Sequence, residues 1–160
     1  MSDALTLVSH SAEETRSLGS VLGTAAQPGD LFLLEGDIGT GKTTLVQGLA
    51  NGLGYAGEVT SPTFTLVHEY AGGRITLVHV DLYRIEHAAQ LRDLDLEDYM
   101  RAGAVLAVEW PELLRAWYPE ACTVRLRYGD ETARQIVIEN APPAALGNLH
   151  RLFSRTEGGG

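Results

Sequence analysis

Residues Gly36-Asp37-Ile38-Gly39-Thr40-Gly41-Lys42-Thr43 spell the pattern G-x-x-x-x-G-K-[ST] in full, and nothing else in the chain constrains its fold as strongly. The octet is preceded by a continuous apolar run, Leu31-Phe32-Leu33-Leu34-Glu35, the pattern of a strand buried on both faces. It is followed by Thr44–Ala50, which continues as a helix. Strand, glycine-rich turn and helix together make an anion site. The glycines let successive backbone N–H groups approach phosphate oxygens, and the helix adds its positive N-terminal end. In such a site Lys42 would reach the β- and γ-phosphates and the Thr43 hydroxyl would coordinate magnesium. The expected cofactors are therefore ATP and Mg²⁺, bound along Asp37, Ile38, Gly39, Thr40, Gly41, Lys42, Thr43 and Thr44.

The remaining segments indicate an α/β chain. Thr6–Val8 reads as a short edge strand. Ser11-Ala12-Glu13-Glu14 reads as a capping box, with Ser11 and Glu14 satisfying two helix-start amides. Leu18, Val21 and Leu22 lie at helical spacing, so this helix is expected to run to about Ala26, before the turn at Pro28-Gly29-Asp30. Thr63–Tyr70 and Arg74–Tyr83 flank Ala71-Gly72-Gly73 and predict a hairpin. Leu91 to Met100 is helical in pattern but broken, Ala104–Trp110 is a second buried strand, and Cys122–Tyr128 with Arg134–Glu139 predicts a late antiparallel pair. The expectation is a single-domain P-loop NTPase-like fold over residues 1–150, with a mainly parallel central sheet and added antiparallel strands or hairpins, and a flexible tail over 151–160. Strand order is not readable from these patterns.

A P-loop requires an acidic partner for magnesium and for positioning water. Two acids end apolar runs: Ile75–Val80 leads into Asp81 and Ala104–Val108 into Glu109. In open α/β sheets ligands sit beyond the carboxyl ends of strands, where both acids would lie. Each is otherwise simply the first solvated residue after a buried strand. Glu109 is the better magnesium-side candidate because its strand is the more uniformly apolar and is expected to neighbour the P-loop strand. Asp81 would orient water or sense the γ-phosphate, and the opposite assignment stays open because both are hard oxygen ligands. The catalytic candidates are thus Lys42, Asp81 and Glu109, and the metal candidates Thr43, Asp81 and Glu109. The loop Thr60-Ser61-Pro62-Thr63-Phe64 is either a switch closing on the γ-phosphate through Ser61 and Thr63, or a polar turn fixed by Pro62. His79 fits a buried, hydrogen-bonded histidine better than a base. Trp110 lines the nucleotide pocket or packs in the core, and Arg84 reaches phosphate or sits on the surface. His10, His68 and His87 show no metal-ligand spacing.

Charge narrows the partners. A formal net charge of −9 leaves no basic surplus to displace counterions from nucleic acid, which disfavours autonomous binding to DNA or RNA. No apolar run reaches the roughly 18–20 residues needed to span a bilayer. The opening Met1-Ser2-Asp3-Ala4 lacks the pattern of a secretory signal, and the single Cys122 has no partner for an internal disulfide. These features give the expectation of a cytoplasmic protein with no membrane association.

Taken together, the P-loop octet with Thr44, then Ser61-Pro62-Thr63-Phe64, then His79-Val80-Asp81-Leu82-Tyr83-Arg84, then Val108-Glu109-Trp110-Pro111-Glu112, resembles the TsaE (YjeE) family in order and spacing. The resemblance covers roughly Ser11 to Tyr128, with Ile38 and Thr40 standing where leucine and alanine are common. It implies an ATPase required for threonylcarbamoyladenosine formation at position 37 of tRNA, coupled to the TsaD–TsaB pair and meeting tRNA only through that complex. It further implies Lys42 and Thr43 as phosphate and magnesium residues, Asp81 and Glu109 as catalytic or metal acids, Trp110 as a nucleotide-site aromatic, and Ser61–Phe64 as the switch. Two other readings are compatible with a P-loop: a small-molecule kinase, for which only the scattered arginines Arg84, Arg92 and Arg101 offer a lid, and a nucleotide-dependent interaction module without turnover.

Overall fold

The computed structural model describes residues 4–37, 39–60, 67–130 and 132–157, with side chains to residue 152. Seven strands form one sheet: β1 (Leu5–Ser9), β2 (Leu31–Glu35), β3 (Val67–Tyr70), β4 (Leu77–Asp81), β5 (Val105–Glu109), β6 (Cys122–Tyr128) and β7 (Arg134–Glu139). Their order across the sheet is β1-β7-β6-β2-β5-β4-β3. The inner four, β6-β2-β5-β4, run parallel. Antiparallel β7 and β1 extend one side, and antiparallel β3 closes the other. The P-loop strand β2 therefore lies between β5, whose sequence ends in Glu109, and β6. This is the mainly parallel core with antiparallel additions that the sequence predicts.

Side-chain alternation divides the core into two layers. Phe32, Leu34, Leu77, Val105, Ala107, Val124 and Leu126 face α1 (Ala12–Ala25) and α2 (Lys42–Gly52), meeting Leu18, Leu22, Leu45 and Leu49. The intervening residues Leu31, Leu33, Val78, Val80, Leu106 and Val108 pack against Leu91 of α3 (Ala88–Arg92), Leu96 of α4 (Leu96–Arg101) and Leu114 of α5 (Glu112–Arg115). The helical stretch predicted between Leu91 and Met100 is broken because Asp95 takes a left-handed backbone (φ 53°) as the N-cap of α4. Beyond Asn140, where the sequence suggested no element, a 3-10 turn leads into α6 (Leu146–Glu157), with Leu149 buried in the α1–α2 layer.

Two devices hold α1 in place. Ser11 Oγ accepts the Glu14 N–H at 3.1 Å, as the capping box requires, but the Glu14 carboxylate accepts the N–H of His10 (2.9 Å), one residue before the cap. At the other end, Arg74 from the β3–β4 connection donates to the carbonyls of Gly23 (2.9 Å), Thr24 (3.2 Å) and Ala26 (3.2 Å), satisfying orphan acceptors of the last turn.

Along its length α1 meets α2 through glycine. A Cβ added at Gly48 would lie 2.1 Å from the Arg16 carbonyl oxygen, and one at Gly19 would lie 2.3 Å from that of Leu45. Gly23 and Gly52 repeat the arrangement one turn further on, against the carbonyls of Leu49 and Ser20. The two backbones thus touch directly, and the Ser20 hydroxyl donates to the Gly48 carbonyl (3.2 Å) across the seam.

Candidate nucleotide site

The site is built where β2 turns into α2. Gly39 (φ 85°) and Gly41 (φ 111°) hold left-handed conformations that L side chains resist, and a Cβ at Gly39 would sit 2.7 Å from the Tyr128 hydroxyl oxygen. The carbonyl of Asp37 closes the turn by accepting both the Thr40 N–H (3.2 Å) and the Thr40 hydroxyl (2.8 Å). Thr40 is thus buried and its hydroxyl serves the loop, so its expected contribution to phosphate binding falls to its backbone. Gly41 caps α2 without any side-chain acceptor, and the first i to i−4 bond is Leu45 N–H to the Gly41 carbonyl (2.9 Å). The amides of Lys42, Thr43 and Thr44 precede that bond at the positive end of the helix, which suits a phosphate anion. Asp37, Gly39, Gly41, Lys42, Thr43 and Thr44 are thereby brought to one turn; Ile38, Ser61 and Thr63 lie outside the described residues.

The acids arrive from the adjoining strands. Parallel pairing sets Asp81 of β4 beside Glu109 of β5, and Glu109 beside Leu34 of β2. All three belong to the sheet face that α2 covers, so both carboxylates lie at the carboxyl edge on the side of the P-loop helix. Glu109 is buried, with Oε1 3.9 Å from Lys42 Nζ and Oε2 2.5 Å from His79 Nε2. Lys42 is itself 7% exposed, its amine 4.1 Å from the centre of the Trp110 ring. Asp81 is half-buried and accepts the Tyr83 N–H at 2.9 Å. Burial raises its proton affinity above that of an ordinary aspartate, and the Glu109 charge adds to this. The Tyr83 amide, Lys42 and His79 pull the other way.

Trp110 reaches this position through an unusual backbone. At φ 58° it is a bulky residue in the left-handed region, a conformation costing on the order of 1–3 kcal/mol. The turn sets the indole against Lys42 and against Tyr83, the latter at 5.1 Å between ring centres. Arg84, next in the chain, is exposed.

Beside Lys42 and Trp110 opens a cavity of about 420 Å³, also bounded by Gly36, Asp37, Arg125 and Tyr128. Glu35, the last residue of β2, anchors its floor by pairing with Arg115 of α5 and with Arg125 Nε (2.9 Å), while Arg125 Nη1 reaches Glu139 of β7 (2.6 Å). Sequence reasoning did not single out these residues. Their only trace is the alternation of Arg125, Arg127 and the apolar positions along β6. Among the described residues no group of three His, Cys, Asp or Glu side chains forms a ready metal cluster. Magnesium suits the donors present, because it commonly takes only one or two protein oxygens and completes its shell with water and phosphate.

Known proteins carry the same arrangement of chain and fold. A family model described as "Threonylcarbamoyl adenosine biosynthesis protein TsaE" matches residues 9–136. A Nostoc protein named tRNA threonylcarbamoyladenosine biosynthesis protein TsaE is 45% identical over 130 residues, covering 79% of this chain and 80% of its own length. The Bacillus subtilis protein of that name is 37% identical over 142 residues, covering 88% of this chain and 85% of its own. A crystal structure of Bacillus subtilis YdiB superimposes with a TM-score of 0.76 at 30% identity, over 98% of both chains. Strand order, P-loop, paired strand-end acids and these matches, spanning the site and most of the sheet, lead to one assignment: the chain belongs to the TsaE family.

Proposed function

We propose that this protein is a magnesium-dependent ATPase that serves the biosynthesis of threonylcarbamoyladenosine in tRNA, its turnover coupled to a TsaD–TsaB complex. The pathway follows from family membership and from the names its relatives carry. The observation that supports ATP chemistry is the convergence of Lys42 and the two acids. A buried ammonium at the start of α2 stands 3.9 Å from a buried carboxylate, and Asp81 lies beside that carboxylate in register.

Each residue has a distinct task. The amides of the P-loop and the Lys42 ammonium bind and orient the phosphates, placing positive charge where negative charge develops. Trp110, its ring centre 4.1 Å from the amine, limits water around Lys42. Thr43, Asp81 and Glu109 would hold magnesium, which when bound neutralises charge on the β- and γ-phosphate oxygens. Of the two acids, Glu109 serves the phosphate side with its Oε1 toward Lys42. Asp81, half-exposed and with raised proton affinity, serves the water side. Threonylcarbamoyl transfer itself is left to the partners. A net charge of −9 favours contact with tRNA through proteins and not through this chain's own surface.

Phosphate release from Mg·ATP, with and without purified TsaD–TsaB, tests the reading. Release should rise on adding the partners and fall by about 10²–10³ with Lys42→Ala, the usual loss on removing one charge-stabilising donor. Undiminished release by a folded Lys42→Ala protein would refute the site. ATP consumed without free phosphate would indicate a kinase, and partner affinity that follows nucleotide without turnover would indicate an interaction module.

A further inference from the structure

His79 belongs to no phosphate-binding motif, yet it makes one of the shortest contacts in the site. Its Nε2 lies 2.5 Å from Glu109 Oε2, and the imidazole is fully buried. The contact is diagonal across the β4–β5 pair. His79 stands beside Ala107, whose small side chain leaves room for the ring to lean toward Glu109, two residues further along the same face. An ionised carboxylate can only accept hydrogen bonds, which would assign the donor role to Nε2. Nδ1 is buried and has no hydrogen-bond partner among the described residues, so none of them competes for the ring. The two oxygens of Glu109 are thereby divided: Oε2 belongs to His79, and Oε1 faces Lys42 at 3.9 Å.

We propose that His79 is the positioning residue for Glu109, its Nε2–H fixing the carboxylate so that Oε1 alone is presented to Lys42 and the phosphate end of the nucleotide. The proposal rests on the ATPase reading for its catalytic consequence, though not for the hydrogen bond. A free carboxylate at the end of Glu rotates about its last bond with little resistance. Packing covers the Glu109 stem but does not select which oxygen faces the lysine; the imidazole does. Outer partners of this kind commonly carry about 10- to 100-fold of an acid's effect.

Two polar variants separate reach from mere burial. His79→Gln places an amide donor near the position of Nε2, whereas His79→Asn places it near Nδ1, out of reach of Glu109. With TsaD–TsaB present, His79→Asn should lower kcat by about 10- to 100-fold with little change in KM for Mg·ATP, and His79→Gln should recover most of the loss. In a Glu109→Ala background, where no acceptor is left for Nε2–H, His79→Asn should cost nothing further from the residual rate. Equal activity of the two variants, or the same fold-loss in both backgrounds, would overturn the proposal. A second readout needs no turnover. In the ¹⁵N NMR spectrum of the wild-type chain, His79 should carry its proton on Nε2, with a downfield proton signal that moves on Glu109→Ala. A bare Nε2 would overturn the proposal. Wild-type protein that shows the protonated Nε2 but releases no phosphate with its partners would refute the ATPase reading and leave the positioning contact standing.

Discussion

Replacing Gly48 by alanine tests how tightly the P-loop helix is held. In an isolated helix this change is favourable by about 1 kcal/mol, because alanine loses less backbone entropy. Here the new methyl would lie 2.1 Å from the Arg16 carbonyl oxygen and 2.9 Å from both Arg16 C and Gly19 Cα. Every one of these is a backbone atom, so no side chain can rotate away. A tolerable carbon–oxygen approach is about 3.3 Å, so α1 and α2 must separate by about 1 Å. Separation also loosens Leu18, Leu22, Leu45 and Leu49, all fully buried along the same layer. Overpacking at the upper end of its usual range, about 3 kcal/mol, less the propensity gain of about 1, leaves a net loss of about 2 kcal/mol. For a chain of this size that lowers Tm by about 4–8 °C. Gly147→Ala in α6 is the control, since nothing lies within 4 Å of its new methyl; it should leave Tm unchanged or raise it slightly. Thermal melts of the two variants side by side check both signs. A Gly48→Ala protein that melts at or above wild type would refute the argument that backbone contact sets the spacing.

Asp81→Asn should raise stability at neutral pH while abolishing turnover, since folding raises the proton affinity of Asp81 mainly through burial. A carboxyl raised on folding contributes stability that is fully present below its unfolded pKa and lost as pH rises through the folded value. The wild type should therefore lose stability relative to Asp81→Asn on crossing that window upward from the ordinary carboxylate range, which melts at stepped pH will show. Arg74→Met should cost about 1 kcal/mol by freeing the last carbonyls of α1, readable as a lower urea midpoint at unchanged m-value. Cys122, pushed up to about 12 by burial, should resist a disulfide reagent at pH 8 in the folded chain and react at once in denaturant.

The reading from sequence succeeded where a single local pattern carries the information. Leu31–Leu34 and Val105–Val108 are uniformly apolar because they lie in central parallel strands, and that uniformity also placed Glu109 beside the P-loop strand. Asp81 was legible as the acid ending its run. What escaped the reading depends on residues far apart in the chain. Arg74 caps a helix about fifty residues earlier, and Glu35 gathers Arg115 and Arg125 from elements that sequence alone could not order. Gly19, Gly23, Gly48 and Gly52 weaken a helix when judged by propensity; only the opposing backbone explains them. His79 looked like one more buried alternate residue, and its role required knowing that Ala107 stands beside it.

Lys42 is the only lysine in the sequence, every other member of its Lys and Arg set being arginine. Apart from the chain terminus, the molecule offers amine-directed reagents a single target, and that amine is enclosed by Glu109 and Trp110. Acylation kinetics followed at Lys42 by peptide mapping therefore report the opening of one atom's surroundings, with only the terminal amine to set apart. A lysine-specific protease likewise has one place to cut, at the first residue of α2, so the rate of cleavage into two fragments measures how often that turn unwinds.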